Sequence, residues 1–338
     1  MISPLIVDVA GTELTQDDKR RIRSVLCGGV ILFSRNYRDR DQLIRLIKEI
    51  RSVKTDKLLI CVDQEGGRVQ RFKHQFTTLP AAARVGDIWD GNRDQAIEVA
   101  NKIGVVLGAE LKSVDVDLTF APVLDLNQVN QSVIGDRAFH SRSEVVIELA
   151  RAFMNGLCDA GMLGVGKHFP GHGGVSEDTH HNNAIDLRSF EEISQIDLMP
   201  FADLSGELFG VMPSHVIYFS LDSRSACFSE YWLKDVLRKS IGFKGYVFSD
   251  DLSMNAARAI PNVVDRVSAA LDAGCDYALV CNSPEELDLL LSEESLITQS
   301  MKGRDEIPEI QPATPRVTVR DEEYDEALKV LRADRLIN

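Results

Sequence analysis

Several features that would place a protein in a special class are missing from this sequence. No Cys-x-x-Cys occurs, and the six cysteines are scattered, mostly beside apolar residues. This distribution argues against a metal-binding cysteine cluster and a disulfide framework, and predicts buried thiols in a reducing compartment such as the cytoplasm. No apolar run approaches the roughly 20 residues that a membrane span needs, so we expect no membrane association.

Basic charge is also scarce. The chain has 38 Lys and Arg against 52 Asp and Glu, a net charge of −14, and no large basic cluster offsets it. Because nucleic-acid binders usually present a basic face, we expect no nucleic-acid partner. The N-terminus, residues 1–8, lacks the basic and long apolar regions of a signal peptide and instead predicts a first β-strand.

What the sequence does contain is a repeated alternation of amphipathic helices and short apolar strands. Helix ends carry glycines, such as Gly28-Gly29 and Gly274, that favour a left-handed turn before the next strand. The apolar runs predict eight strands: Leu5–Val9, Val30–Phe33, Leu58–Val62, Val116–Phe120, Leu163–Gly166, Gly210–Pro213, Tyr246–Ser249 and Tyr277–Val280.

This alternation predicts an α/β fold with a parallel sheet covered on both faces. Eight such units in 338 residues favour a single-domain (β/α)8 TIM-type barrel over residues 1–338. An open doubly wound sheet is the alternative, and no Gly-x-Gly-x-x-Gly after the first strand supports it. Residues 303–319, with three prolines, predict an extended surface connection, and residues 320–338 a C-terminal helix.

Polar residues follow most of the predicted strands. They come after strand three at 63–71, after strand four at 125 and 135–137, after strand five from 167 onward, and after strands six, seven and eight at 214–215, 250–251 and 282. Because active sites in such barrels form at the carboxyl ends of the strands, we expect one polar pocket there.

Two adjacent carboxylates follow the seventh strand. An unpaired carboxylate at a barrel mouth is costly unless a cation or a developing positive charge compensates it, and the transition state of glycosidic cleavage is such a charge. The alternative is a structural role, in which one of the two carboxylates caps a following helix, Leu252–Arg258. We expect a division in which Asp250 faces the pocket and Asp251 serves the helix or a neighbouring base.

A histidine-rich segment follows the fifth strand. Asp178 and His180 are spaced so that, in an extended loop, the carboxylate can orient the imidazole for proton transfer. The alternative is that both are ordinary solvated loop residues. Lys167 and His168 suit hydroxyl recognition. Pro170 and the neighbouring glycines argue against a helical zinc site at His168 and His172. For His172 we favour a structural histidine that anchors the loop, and His215 is ambiguous between pocket wall and core.

The remaining charged residues form a mixed set that suits a sugar. Asp63 can accept hydrogen bonds from adjacent hydroxyls, while Arg71, Arg137 and Lys167 can donate them. The alternative is that Arg71 and Arg137 are internal ion-pair partners of Asp63 and Asp136, and we expect this to hold in part.

These residues carry a resemblance to a known family. The chain strongly resembles the bacterial β-N-acetylhexosaminidases of glycoside hydrolase family three, and more narrowly the single-domain cytoplasmic enzymes that recycle cell-wall muropeptides. The matching segments keep the family's order along the chain: residues 28–36, 62–72, 121–125, 134–139, 166–173, 178–180 and 248–254.

The resemblance implies a retaining mechanism with Asp250 as nucleophile and His180, partnered by Asp178, as acid/base. It assigns Asp63, Arg71, Arg137, Lys167 and His168 to binding N-acetylglucosamine. The implied substrate is N-acetylglucosamine β-1,4-linked to 1,6-anhydro-N-acetylmuramic acid, with or without peptide. No metal or organic cofactor follows. We expect a monomer that acts in peptidoglycan recycling, cell-wall degradation, cell shape and cell division.

Three other functions stay open at this point. A phosphorylase of the same fold would use phosphate in place of water, and a histidine acid/base is compatible with it. A catalytically inactive sugar-binding protein would not need Asp250 and the Asp178–His180 pair. A metal-dependent hydrolase would be sensitive to chelators.

Overall fold

The computed structural model describes residues 3–128, 133–172, 174–175, 184–300 and 321–337. Its centre is an eight-stranded parallel sheet. We label its strands in chain order: β1 Leu5–Val7, β2 Cys27–Leu32, β3 Leu59–Val62, β4 Leu118–Thr119, β5 Leu163–Phe169, β6 Gly210–Pro213, β7 Tyr246–Val247 and β8 Ala278–Val280.

Each predicted strand corresponds to one of these strands, with ends that differ by a few residues. The hydrogen-bonded order is β7-β6-β5-β4-β3-β2-β1-β8, so consecutive strands are neighbours and the last strand pairs with the first. A parallel bridge between Phe248 and Tyr277 joins the two ends of this order just beyond β7. The fold is therefore an α/β fold whose parallel sheet curls back on itself, as in TIM barrels.

The sheet is buried on both faces, which explains its short apolar strands. Alternate side chains such as Ile6, Ile31, Val165 and Phe248 pack together in the interior of the curl. Their neighbours along the strands, including Val7, pack outward into the layer shared with the helices. This double burial removes the polar–apolar alternation of a half-exposed strand.

Helices connect the strands and cover the outer face. The α-helices span Gln16–Arg23, Arg40–Val53, Ala82–Gly91, Arg93–Lys112, Ser143–Asp159, Phe190–Gln195, Met199–Asp203, Val263–Ala273, Pro284–Ser292, Glu294–Ser300 and Asp321–Ala333. A π-helix spans Tyr231–Ile241, and short 3-10 helices span Ser34–Asn36, Gly135–Arg137, Ala226–Phe228 and Asn255–Ala259. In the described residues, no helix is long and apolar enough to cross a membrane.

Two small sheets lie outside the main one. Gln64–Gly66 and Val69–Gln70 form an antiparallel pair directly after β3. Ile185–Asp186 and Ile217–Tyr218 form a parallel pair that joins the connections after β5 and β6. Both place irregular segments at the carboxyl end of the sheet.

Three expectations about local structure have definite outcomes. The C-terminal helix is confirmed as Asp321–Ala333. The predicted helix Leu252–Arg258 was wrong in its bounds and type, because a turn precedes a 3-10 helix that begins only at Asn255. Five of the six cysteines are buried, as expected, and Cys158 is partly exposed. Residues 303–319 lie outside the described residues.

Candidate active site

A cavity of about 390 Å³ opens at the carboxyl ends of the strands. Its floor consists of apolar side chains from the sheet interior, including Ile31, Phe120 and Leu279. Charged and polar side chains form its wall: Asp63, Glu65, Arg68, Arg71, Arg137, Lys167, His168, His172, Asp250, Asp251 and Asn282. A cavity with an apolar floor and convergent polar groups is typical of a small-molecule site.

The wall next to β3 and β5 is built from buried ion pairs. The Lys167 ammonium lies 2.8 Å from Asp63 Oδ1 and 2.7 Å from Glu65 Oε1. Arg71 approaches the other oxygen of Asp63 at 3.3 Å. Burial favours the neutral form of Asp63, but the charges of Lys167 and Arg71 outweigh it and hold the pKa of Asp63 below its usual value.

Glu65 and Arg137 form the second pair of this wall. Arg137 Nε and Nη2 each donate to Glu65 at 2.8 Å, a bidentate arrangement. Despite burial, the charges of Arg137 and Lys167 place the pKa of Glu65 well below its usual range. The predicted partner of Arg137 was therefore wrong: Asp136 pairs with Arg68 at 3.0 Å, because Asp136 and Arg137 point to different neighbours. The predicted Arg71–Asp63 pair is confirmed.

Asp125 organises the histidines that follow β5. This fully buried carboxylate lies 2.7 Å from His168 Nδ1 and accepts the backbone N–H groups of His168 and His172 at 3.1 and 2.7 Å. Burial disfavours its charge, but His168 and these donors hold the pKa of Asp125 below its usual value. The arrangement fixes the orientation of His168 at the cavity wall.

Gly171 makes the turn between the two histidines. Its φ of +132° is a conformation that side-chain-bearing residues rarely adopt, and a Cβ there would lie 2.6 Å from Asp197. Tyr218 also donates a hydrogen bond to the Gly171 carbonyl at 2.5 Å. The sequence Pro-Gly at this point thus positions the backbone that carries His172.

Asp250 and Asp251 both line the cavity, although only Asp250 was expected to face it. The two carboxylates differ instead in their hydrogen-bond partners. Asp250 Oδ1 accepts the backbone N–H of Asp251 at 2.8 Å. Asp251 Oδ1 accepts from Ser253 N at 2.9 Å, Ser253 Oγ at 2.8 Å and Cys281 N at 3.2 Å, which ties the turn after β7 to the end of β8. Burial raises the pKa of Asp251 to about 6.

His215 supports this turn from behind. Its Nε2 lies 3.1 Å from the Asp251 carbonyl oxygen, and its ring packs against Phe228 with centroids 5.6 Å apart. The side chain is almost completely buried and is absent from the cavity lining, so the ambiguity about His215 resolves to core support.

The structure thus brings together six of the eight predicted site residues: Asp63, Arg71, Arg137, Lys167, His168 and Asp250. The other two, Asp178 and His180, lie outside the described residues. Sequence reasoning missed Glu65 as the shared partner of Lys167 and Arg137, and Asp125 as the carboxylate behind His168. Glu65 lies three residues beyond β3 and Asp125 six residues beyond β4, and this position after a strand was the available signal.

Comparisons with known proteins are specific. A family model described as the N-terminal domain of glycosyl hydrolase family 3 matches residues 5–319. A β-hexosaminidase of Thiobacillus denitrificans is 52% identical over 293 residues, 86% of this chain and 82% of that protein. A β-hexosaminidase of Nitrosospira multiformis is 49% identical over 293 residues, 86% of this chain and 84% of that protein.

A solved structure is similar over nearly its whole length. NagZ from Neisseria gonorrhoeae, in complex with N-trifluoroacetyl-D-glucosamine, has a TM-score of 0.84 and 39% identity, and the match covers 99% of this chain and 97% of that one. A sugar-sized polar cavity at the mouth of a curled parallel sheet suits a carbohydrate-cleaving enzyme, and these matches place the protein among the glycoside hydrolases.

The chain belongs to glycosyl hydrolase family 3. Its relatives of about 50% identity make its activity class that of a β-N-acetylhexosaminidase, and the resemblance inferred from the sequence is confirmed.

Proposed function

We propose that the chain is a retaining exo-β-N-acetylglucosaminidase of peptidoglycan recycling. It would remove non-reducing terminal N-acetylglucosamine, β-1,4-linked to 1,6-anhydro-N-acetylmuramic acid, in the cytoplasm, and residues 1–338 would form one catalytic barrel. The observation that carries the proposal is the position of Asp250, which lines a sugar-sized cavity two residues past Phe248, where a bridge closes the sheet. The similar NagZ structure, which holds an N-acylated glucosamine, supports the sugar.

In this mechanism Asp250 attacks the anomeric carbon and the glycosidic bond breaks. The positive charge that develops on the sugar is stabilised by the nearby carboxylates, and a covalent glycosyl-enzyme forms. His180, oriented by Asp178, donates a proton to the leaving oxygen and then accepts one from the water that releases the sugar. Asp178 and His180 follow His172, a cavity residue, by six and eight positions in the sequence, and this short separation supports their assignment to the same site.

The binding roles follow from the charge pairs. Asp63 is held ionised by Lys167 and Arg71, so it is a permanent acceptor for sugar hydroxyls. Lys167 and Arg71 are donors fixed beside it. Arg137, whose planar group is anchored by Glu65, presents its other N–H groups, and His168 is oriented by Asp125. Such preorganised groups bind without first having to be ordered.

Trapping of the glycosyl-enzyme tests the nucleophile. A fluorinated N-acetylglucosaminyl analogue with an activated leaving group should label the protein once, and peptide mapping should place the label on Asp250. Asp251→Asn, which keeps Asp250 and the oxygen that accepts from Ser253, is the matched control and should still be labelled. A label on another residue, or none with the active enzyme, would contradict the assignment.

Substrate and acceptor are tested separately. Aryl β-N-acetylglucosaminide should be cleaved much faster than the aryl β-glucoside, at a rate that does not depend on phosphate, with N-acetylglucosamine as product. Sugar 1-phosphate as the product would identify a phosphorylase instead. His180→Gly should slow both steps, and activated aryl substrates should suffer less than disaccharides in the first; equal losses would argue against the acid role.

A further inference from the structure

His172 lies in the cavity wall, and the mechanism above does not use its side chain. Its exposed fraction is 3%, and it lines the cavity together with His168 and Asp250. Within the described part of the chain, neither Nδ1 nor Nε2 has a hydrogen-bond partner. A buried polar atom without a partner costs free energy, so such an atom at a binding cavity calls for an explanation.

Anchoring of the loop does not supply that explanation. The contact that fixes His172 runs through its backbone N–H, which donates to Asp125 Oδ1 at 2.7 Å. The other oxygen of Asp125 is occupied by His168 Nδ1. The His172 ring is instead held edge-on to the His168 ring, with centroids 6.2 Å apart and an interplanar angle of 71°. The expected structural role therefore belongs to the backbone of His172 and leaves its imidazole unused.

The surroundings favour an uncharged ring. Burial lowers the pKa of His172, and the charge of His168 acts in the same direction, whereas Asp125 and Asp250 act against it. A neutral imidazole has one N–H donor and one acceptor nitrogen. That pair matches a sugar hydroxyl or an amide group, each of which also offers a donor and an acceptor, and it does not match a carboxylate or a cation.

We propose that the His172 imidazole is a further substrate-contacting group of this site, and that it hydrogen-bonds one hydroxyl or amide group of the sugar bound beside Asp250. The inference rests on the proposed function for the identity of that sugar, N-acetylglucosamine. It assigns to His172 a specificity role that the charged groups cannot provide, because a site that leaves a buried donor and acceptor unpaired rejects a ligand lacking the matching group.

The test compares His172→Phe with the wild-type enzyme in binding N-acetylglucosamine and its monodeoxy analogues. His172→Phe should weaken binding of the parent sugar by roughly tenfold or more. One deoxy analogue should bind the wild type correspondingly weakly, and His172→Phe should not distinguish that analogue from the parent. His172→Gln, which keeps a donor and an acceptor, should recover part of the affinity. His74→Phe, at an exposed position outside the cavity, is the control and should bind as the wild type does.

A merely structural role would weaken all analogues equally and would leave the selectivity pattern unchanged, and that result would overturn the proposal. Where His172→Phe does not fold, ring ¹⁵N spectra of histidine-labelled protein decide: the imidazole signal that is absent from His172→Gln should shift in the wild type on saturation with N-acetylglucosamine, and no shift of that signal would overturn the proposal. Failure of the wild type to bind or release N-acetylglucosamine would instead refute the proposed function.

Discussion

The cavity holds buried carboxylates in two contrasting settings. On the side of β3 and β5, Asp63 and Glu65 contact cations, and the pKa of each lies below its usual value. On the side of β7 and β8, Asp251 contacts a hydroxyl and backbone N–H groups, and burial raises its pKa to about 6. Burial raises the pKa of all three, so the difference among them comes from the cations that contact Asp63 and Glu65.

The contrast has a chemical use in the proposed mechanism. The carboxylates of the β3–β5 wall are already neutralised by Lys167, Arg71 and Arg137, so they recognise hydroxyls and have little charge left to offer a cation. The β7–β8 side carries two adjacent carboxyl groups, and a positive charge that develops on the sugar would be attracted to it. In the proposed mechanism, recognition of the sugar and attack by the nucleophile would thus fall on opposite sides of one cavity.

The largest expected effect comes from removal of the proposed nucleophile. Asp250→Asn should reduce kcat for an aryl β-N-acetylglucosaminide by roughly 10³-fold or more, because the amide cannot form the glycosyl-enzyme. Binding of N-acetylglucosamine should survive, since the β3–β5 wall is untouched. Steady-state kinetics and calorimetric titration measure the two quantities. Retention of near-normal kcat would contradict the assignment of roles to the two sides.

A smaller effect is expected from breaking the ion-pair wall. Glu65→Gln leaves Lys167 and Arg137 without a shared buried partner and should lower the free energy of unfolding by about 3–5 kcal/mol. The matched control is Asp136→Asn, which removes the partner of Arg68 in a half-exposed pair and should cost about 0.5 kcal/mol or less. Urea unfolding at pH 7 gives both values. Similar losses in the two variants would mean that the buried wall is no more important than a surface pair.

The pH dependence gives the subtlest test of the contrast. Because the folded-state pKa of Asp251, about 6, lies above the usual value near 3.8, this group stabilises the folded state below pH 4 relative to neutral pH. Its contribution is lost as the pH rises from about 4 to about 6. Asp251→Asn keeps an acceptor for Ser253 but cannot titrate, so it should gain stability relative to the wild type across that interval. Unfolding curves at several pH values measure the difference in stability between the variant and the wild type. A difference that does not change with pH would show that the pKa of Asp251 is not raised.

Glu65, in the ion-paired wall, should affect the pH dependence of stability in the opposite way to Asp251. The folded-state pKa of Glu65 lies well below its usual value, so its stabilising contribution is present above pH 4.5 and is lost as the pH falls. Glu65→Gln should therefore show a shallower loss of stability in acid than the wild type.

The sequence predicted the scaffold better than the contacts. All eight strands of the sheet were located, because a strand buried on both faces is a continuous apolar run. Gly274 follows a helix end as expected, whereas Gly28 and Gly29, expected at a helix end too, lie inside β2. Membership of the cavity was predicted for Asp63, Lys167 and Asp250 from their positions after strands. These are backbone-level features, and each is visible locally in the sequence.

Partners between side chains were less predictable. Arg137 was expected to pair with its neighbour Asp136, yet it contacts Glu65, 72 positions away in the chain. Where an α-helix was expected after Asp251, a turn and then a 3-10 helix follow, and Asp251 also accepts a hydrogen bond from Cys281 just beyond β8. Which side chains pair with each other depends on which strand ends lie close together in the folded chain. The roles of Asp178 and His180 stay predictions.

The stereochemistry of the first product tests the central claim most directly. Proton NMR during rapid cleavage of a β-N-acetylglucosaminide should show β-N-acetylglucosamine appearing first, followed by slow mutarotation, as two successive displacements through Asp250 require. Initial appearance of the α-anomer would demonstrate a single displacement by water and would contradict a covalent intermediate on Asp250.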